Sequence, residues 1–547
     1  MKPEPMKTPF PAFDYENARA NFAFNVPEFF NFGFDVVDRR ARENDKLALI
    51  AIDRSGQHIT HYHYSDLERE SNRFANALLD LGVRKGDSVL VVLPRIPQWY
   101  FVLLGCAKIG AIAMPGTNQL KAKDLEYRIN RSGACAAVVG PTHAQALESI
   151  ASICPSLQHK MLVGEDRAGW HHVESLCADQ APHIDPLRIT PTRSDETMLI
   201  YFTSGTTSLP KMVERDHAYA LAHSITGRYW QDLRESDVHW TLTDTGWAKA
   251  AWGLLYPPLM AGATIVLYDG EGFDLPMHLD IIARCRVSTF CAPPTIYRVM
   301  AKADLSNADF SSLRHCFGAG EPLNPEAMRA WKLATGCDIH DGYGQTETIN
   351  IVANFPGMPI RPGSMGKPCP GLHVDVIDDD GHVVADHEVG HIAVKVTDPY
   401  PPGLFKGYYG DPETTAKAFR HGWYYTGDTA RRDEDGYIWF VGRSDDIISS
   451  SSYRISPFEV ESTLIEHPAV AEAAVVGKPD ELRGEIVKAF IILAKGYTAS
   501  DALALEIQNF VKEQTAPYKY PREIEFRDAL PKTISGKIRR VELREQG

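Results

Sequence analysis

No stretch of this sequence reaches the ~18 consecutive apolar residues that a membrane-spanning helix requires, so no membrane span is expected. Positive charge is also scarce. Lys and Arg total 57 against 71 Asp and Glu, a formal net charge of −14, the wrong sign for a protein held on nucleic acid or anionic lipid by its general field. The nine cysteines contain no C-x-x-C pair, which excludes the usual zinc and disulfide frameworks. Residues 1–22 lack both an apolar run and an arginine-rich face, so neither a secretory nor an organellar address is expected and a cytoplasmic location is predicted. Internal repeats are missing as well, and the serine run Ser449–Ser452 is too short to count as low complexity. What remains is ordinary globular usage: 547 residues, 44% hydrophobic and 23% charged, enough for three to four structural units at roughly 150 residues each.

Between Ser88 and Gly140 short apolar runs (Ser88–Leu93, Ala111–Met114, Ala136–Gly140) alternate with amphipathic segments (Pro97–Ile109, Ala122–Asn130). That alternation predicts a mostly parallel sheet covered on both faces. It returns at Ala263–Tyr268, Met277–Cys285, Ser288–Ala292 and a helix beginning near Pro294. After Pro362 the runs Val374–Ile377, His391–Val396 and Tyr437–Val441 are separated by Asp380-Gly381 and Asp435-Gly436, the turn chemistry of antiparallel hairpins. The last hundred residues combine helices at Pro457–His467 and Asp501–Gln514 with strands at Val470–Val476 and Val487–Leu493. The expected architecture is therefore α/β: a large amino-terminal body, residues 1–443, with a β-rich subdomain at about 362–443, followed by a small α+β module, residues 444–547.

The most pointed local feature is Thr203-Ser204-Gly205-Thr206-Thr207-Ser208-Leu209-Pro210-Lys211, which follows the apolar strand Thr197–Phe202. Backbone amides and hydroxyls in such a loop wrap phosphate oxygens while the lysine supplies a point charge; a solvated polar turn is the alternative. It is not a P-loop, because Pro210 and Met212 stand where that motif needs its second glycine and its magnesium-binding hydroxyl. Further along come Gly318-Ala319-Gly320-Glu321-Pro322, Asp341-Gly342-Tyr343-Gly344-Gln345-Thr346-Glu347, Tyr425-Thr426-Gly427-Asp428, Gly442-Arg443 and Pro531-Lys532-Thr533-Ile534-Ser535-Gly536-Lys537. Each alone could be a turn or a basic tail.

In this order the motifs resemble the adenylate-forming superfamily of acyl-CoA synthetases, firefly luciferases and nonribosomal adenylation domains, from about Phe29 to Arg544. Asp244-Thr245-Gly246-Trp247-Ala248-Lys249 and Pro479–Glu485 are most similar to medium-chain and aromatic acid–CoA ligases. The resemblance implies a two-step reaction: a carboxylate attacks the α-phosphorus of ATP to give acyl-AMP and pyrophosphate, then the thiol of coenzyme A displaces AMP. It implies that Thr203 to Lys211 handle the β- and γ-phosphates, and that adenine lies between Gly320-Glu321-Pro322 and the Tyr343 ring. Asp428 would receive the ribose hydroxyls, with Arg443 beside ribose or phosphate, and Glu347 would bind Mg2+. Lys537 would bridge the attacking carboxylate and the α-phosphate, offsetting charge as two anions converge. The carboxy-terminal domain would swing about Asp445, with Ser452, Tyr453 and Arg454 facing coenzyme A.

Trp247, Lys249 and Gly344 are expected to line the acyl pocket, a core indole being the alternative for Trp247. Acetate-specific relatives carry tryptophan where this chain has Gly344, so a four- to eight-carbon, branched or small aromatic acid is expected. Ser208 and Ser452 depart from the family's usual glycines and would bear on the phosphate loop and on thiol entry. By the same resemblance Lys537 is a candidate for a protein lysine acetyltransferase. The rival functions are an adenylation enzyme loading a carrier protein and a non-catalytic acyl-adenylate-binding relative. The pairs His61/His63 and His171/His172 lack further ligands at metal spacing and are read as surface or packing residues, and the phenylalanines between Phe22 and Phe34 as a segment laid on the body.

Overall fold

The computed structural model describes residues 13–203, 210–321, 323, 325–450, 453–480, 482–532 and 538–546. Chain contacts divide the molecule into two compact units. The first comprises residues 1–203, 212–373 and 397–415; the second comprises 204–211, 374–396 and 416–547.

Two sheets build the first unit. The seven-stranded sheet runs His171–His172, His159–Leu162, Ala136–Val139, Ser88–Val92, Ile112–Pro115, Thr197–Phe202, Met212–Asp216, parallel except for its last pair. The expected alternation is realised closely. Pro97–Ile109 is a helix with proline in its first turn, and Gly110, at φ 72°, ends it; the missing N–H costs nothing at that start, and glycine alone adopts the left-handed turn without strain. Leu90, Leu125, Ile129, Val139 and Ile200 are wholly buried between sheet and helices, each side chain contributing roughly 1.5–3 kcal/mol relative to exposure.

The nine-stranded sheet runs Lys367–Pro368, Asn350–Ala353, Ile339–Gly344, His315–Ala319, Thr289–Cys291, Val238–Thr241, Thr264–Tyr268, Leu47–Ile52, Ile59–His63. Its centre is parallel and its edge pairs antiparallel. A separate core around Phe290, Tyr297, Trp331 and Ile339 supports it. The amino-terminal aromatics do lie on the body: Phe30 and Phe32 are buried, while Phe29 is 52% exposed.

The second unit contains the hairpin sheet expected after Pro362, in which Val374–Ile377, Val389–Lys395, Trp423–Arg432 and Ile438–Arg443 pair antiparallel. It also contains the α+β module, whose strands Val470–Asp480 and Gly484–Leu493 form a long antiparallel pair flanked by Glu523–Phe526. Ser456 and Ser500 accept hydrogen bonds from the first turns of the helices Pro457–Glu466 and Asp501–Gln514, as residues at a helix start should. The module has its own core around Ile448, Val460, Val475, Ile491 and Ile507. All nine cysteines are free, and among the described residues no helix is long and apolar enough to cross a membrane.

Candidate active site

The motifs of the first unit follow the carboxyl ends of parallel strands, where α/β sheets leave a crevice for ligands. Thr203, half-buried, follows Thr197–Phe202, and the Phe202/Met212 pair closes the phosphate loop whose last residue is Lys211, also half-buried. Ser204, Gly205, Thr206, Thr207 and Ser208 lie outside the described residues. Gly320 ends the His315–Ala319 strand at φ 104° with no atom within 4 Å of where a Cβ would stand, so its main chain offers an open face. Glu321 accepts from Thr295 Oγ1 at 2.7 Å; Pro322 is outside the described residues.

Asp341 lies in the neighbouring Ile339–Gly344 strand and is buried at 6% exposure, accepting from the Gly342 amide at 3.0 Å. Burial pushes its carboxyl up to about 8, so at neutral pH it is largely a neutral acid. Tyr343, Gln345 and Thr346 are half-buried and Gly344 exposed.

Gly344 differs from expectation. It sits at a register shift between Ile339–Gly344 and Asn350–Ala353, where a Cβ would lie 2.3 Å from the Ile349 carbonyl oxygen. The local backbone requires glycine here, so Gly344 cannot be read simply as room left for the acid, and replacing it with tryptophan would disturb the strand pair before it closed any pocket.

Glu347 is half-buried. Its Oε1 accepts from the Tyr408 hydroxyl at 3.0 Å, and its carbonyl accepts from Arg215 Nη1 at 2.9 Å and from the Phe405 amide at 2.9 Å. A carboxylate oriented in this way is a hard oxygen donor suited to Mg2+, which takes one or two carboxylates beside phosphate oxygens. Sequence reasoning missed Arg215 and Tyr408. The alternation of Met212–Asp216, whose fourth residue faces inward with the buried Val213, was the signal available.

On the acid side, Trp247 is half-buried, so the core-indole alternative is not what the fold adopts. The Asp244–Lys249 segment is locked against the loop after Ile112–Pro115: Gly246 donates to Asp244 Oδ1 at 2.8 Å, Thr245 to the Leu93 carbonyl at 2.5 Å and Asn118 to Asp244 Oδ2 at 3.3 Å. Lys249 points its ammonium toward the Ala319 carbonyl, 3.5 Å away, and over the Trp252 ring. Trp247 and Lys249 are thereby tied to the end of the strand that carries Gly320. Beside Asn118 a cavity of about 380 Å3, lined by Lys121, Thr142, His143 and Gln145, opens where the helices Ala122–Ser132 and Pro141–Ile150 begin. A cation and two helix N-termini favour an anionic guest.

In the second unit Asp428 is buried and stands opposite Arg443 in the Trp423–Arg432/Ile438–Arg443 ladder. Arg443 donates to Asp445 at 3.0 Å; burial opposes its charge, but Asp445, Asp428 and Asp446 outweigh it and hold the guanidinium above its ordinary range. Tyr453 is 49% exposed and stacks on Tyr518 with centroids 4.0 Å apart. Arg454 is described by its backbone, paired with Ser449. Ser452 and Lys537 lie outside the described residues. Also missed from sequence was the ionic cluster around Arg540, which donates to both carboxylate oxygens of buried Glu461 at 2.8 and 2.7 Å and lies 3.4 Å from Asp446, itself paired with Arg544.

A family model described as AMP-binding enzyme matches residues 37–409, and one described as AMP-binding enzyme C-terminal domain matches residues 459–537. The chain belongs to the AMP-binding enzyme family. This AMP-binding enzyme is 43% identical over 564 residues to the mitochondrial acyl-coenzyme A synthetase ACSM3 of Mus musculus, covering 100% of this chain and 97% of that protein. Among solved structures it is similar to the anthranilate CoA ligase AuaEII in complex with anthranoyl-AMP (34% identity, TM-score 0.87, 95% of this chain and 98% of that one). It is also similar to a benzoate CoA ligase from Burkholderia xenovorans LB400 (28% identity, TM-score 0.82, 94% and 100%). Like these, it is an AMP-forming acid–thiol ligase, an acyl-CoA synthetase, and such enzymes use ATP and coenzyme A. The cytoplasmic location expected from the amino terminus is overturned, since the acyl-coenzyme A synthetase relatives are mitochondrial.

Proposed function

We infer that this AMP-binding enzyme activates a medium-chain, branched or small aromatic acid in preference to acetate, with Mg2+ accompanying ATP at Glu347. The observation that carries this reading is the half-buried Trp247 two residues from Lys249, whose ammonium lies beside the Ala319 carbonyl, an indole near a cation at the strand end bearing Gly320. The aromatic substrates named for the anthranilate and benzoate ligases support it. Each methylene reaching an apolar wall contributes about 0.8 kcal/mol, roughly fourfold in selectivity.

In this reading Thr203 and Lys211 receive the β- and γ-phosphates, together with Ser204, Gly205, Thr206 and Thr207. Gly320, Glu321, Pro322 and the Asp341–Thr346 backbone bound the adenine, and Tyr343 supplies a stacking face. Asp428 accepts the ribose hydroxyls, and Arg443 carries positive charge to ribose or phosphate. Lys537 neutralises the two anions that converge in adenylation. Residues 444–547 then swing as a body about Asp445, so that Ser452, Tyr453 and Arg454 face coenzyme A. The Lys121 cavity suits an anionic group such as a coenzyme A phosphate. Acetylation of Lys537 would remove the charge that the first step uses.

The test is pyrophosphate release across acetate, butyrate, hexanoate, branched acids and benzoates. A larger or aromatic acid should exceed acetate in kcat/KM; acetate equal to the best of them refutes the acid class. Lys121→Ala should raise KM for coenzyme A and leave adenylation unchanged. Lys537→Ala should suppress adenylation far more than thioester formation from supplied acyl-AMP.

A further inference from the structure

Arg215 is among the largest side chains the fold buries completely, at 1% exposure. Among the described residues it faces no carboxylate at hydrogen-bond distance. Its Nη1 donates to the Glu347 carbonyl, its Nη2 to the Gly403 carbonyl, and the guanidinium lies 3.8 Å from the centre of the Tyr219 ring. Its Nε has no hydrogen-bond partner, nor do the hydroxyls of Tyr201 and Tyr219. Burial opposes its charge more than the nearby Asp216 and Glu347 carboxylates support it, and a buried cation is costly, so its position calls for a return elsewhere. That return is geometric, because the two carbonyls belong to segments far apart in sequence.

The segment that carries Gly403 also meets the Met212–Asp216 strand by other routes. Tyr408 bridges Val213, the Tyr409 amide donates to the Met212 carbonyl at 2.8 Å, and Lys406 pairs with Asp216 at 3.0 Å. Residues 403–409 thus run along the strand that returns from the phosphate loop. From this segment the Phe405 amide holds the Glu347 carbonyl and the Tyr408 hydroxyl holds the Glu347 carboxylate. Main chain and side chain of Glu347 are both referred to one strand.

We propose that Arg215 and Tyr408 are positioning residues that fix Glu347, backbone and carboxylate respectively, against the return strand of the phosphate loop, and thereby set the affinity of the enzyme–ATP complex for its divalent ion. The inference rests on the reading of Glu347 as the metal-binding carboxylate. Both residues act through Glu347, so their effect falls on the step that uses the triphosphate and spares the step that uses acyl-AMP and thiol.

The experiment measures Mn2+ binding to the full-length enzyme with a non-cleavable ATP analogue by electron paramagnetic resonance, alongside both half-reactions, in wild type, Tyr408→Phe, Arg215→Lys and Glu347→Gln. Losing a hydrogen bond to a charged carboxylate should weaken Mn2+ binding about tenfold in Tyr408→Phe. The Mg2+ half-saturation for pyrophosphate exchange should rise in parallel, and thioester formation from supplied acyl-AMP should stay within about twofold. Arg215→Lys keeps the charge but reaches one carbonyl at a time, so it should shift the same quantities in the same direction. If Glu347→Gln weakens Mn2+ binding and Tyr408→Phe does not, the positioning inference is overturned. If Glu347→Gln itself leaves Mn2+ binding unchanged, the metal reading of Glu347 fails instead. Equal losses in both half-reactions of Tyr408→Phe would mean the hydroxyl serves only folding, and would overturn the inference too.

Discussion

Arg215 in the first unit and Arg540 in the second are both largely buried guanidiniums at junctions of the chain, and they are compensated by opposite means. Arg215 spends its donors on two main-chain carbonyls and one aromatic face. Arg540 spends its donors on carboxylates, bidentate on Glu461 and near Asp446. The first arrangement fixes backbone and leaves the charge without a hydrogen-bonded carboxylate among the described residues; the second pairs charge directly and fixes side chains. Carbonyl anchoring leaves the Glu347 carboxylate to the Tyr408 hydroxyl rather than to the guanidinium. Around Asp445 and Asp446, at the start of the α+β module, a charge cluster ties the last helix, Arg540–Gln546, to that start.

The contrast is broken most forcefully at Arg540. Arg540→Ala leaves the Glu461 carboxylate, 6% exposed, buried without its partner, and such truncations cost about 3–5 kcal/mol. Urea unfolding should show that loss. Replacing both partners by apolar residues of similar volume should recover most of it. Arg215→Met should cost less, about 1–2 kcal/mol, because the Glu347 carbonyl keeps the Phe405 amide and a buried charge that burial disfavours disappears. A loss as large as that of Arg540→Ala would show that the two guanidiniums are not compensated differently.

A third effect is read as a slope. Asp341 retains its proton in the folded state up to about 8 against 3.8 ordinarily, because it is buried. The native state therefore binds more protons than the unfolded chain between these values. The contribution of this group to stability is full below pH 3.8 and declines as pH rises to about 8. Asp341→Asn removes the ionisation, so stability of wild type minus variant should fall from pH 5 to pH 8. A flat difference would mean Asp341 is ionised in the fold. The smallest effect is expected at Tyr453, half exposed on Tyr518: Tyr453→Ala should cost about 0.5–1.5 kcal/mol, measured by thermal unfolding.

Much of this was legible in the sequence where hydrophobic period and punctuation agree. Pro97–Ile109 and Asp501–Gln514 are helices over the residues read from their patterns, because proline or serine marks the start and the apolar stripe needs only one partner. Val374–Ile377 likewise forms the strand expected. Arg215 had only a weak signal, its two-residue spacing from Val213. Glu214-Arg215-Asp216 reads as a solvated charged run, and only the antiparallel pairing with Thr197–Phe202 turns its middle member inward. Gly344 misled for a related reason, since a missing Cβ looks the same in sequence whether a ligand or the protein's own backbone occupies the space. The exposed turn at Asp378, Asp380 and His382 collects three groups able to hold an ion, at a place where the sequence signalled only a hairpin.

The crossing at Gly246 has a consequence for anyone exchanging parts between such ligases. A Cβ on Gly246 would stand 1.9 Å from the Thr117 nitrogen and 2.1 Å from the Gly116 carbonyl carbon, so backbone meets backbone there with no side chain to yield. The loop bearing Trp247 and the loop bearing Asn118 are consequently a matched set, like two halves of a moulded joint. Transplanting the acid-facing loop alone would import a donor's curvature onto a foreign counterpart. Chimeras that exchange residues 116–118 together with 244–249 should fold where single-loop grafts do not.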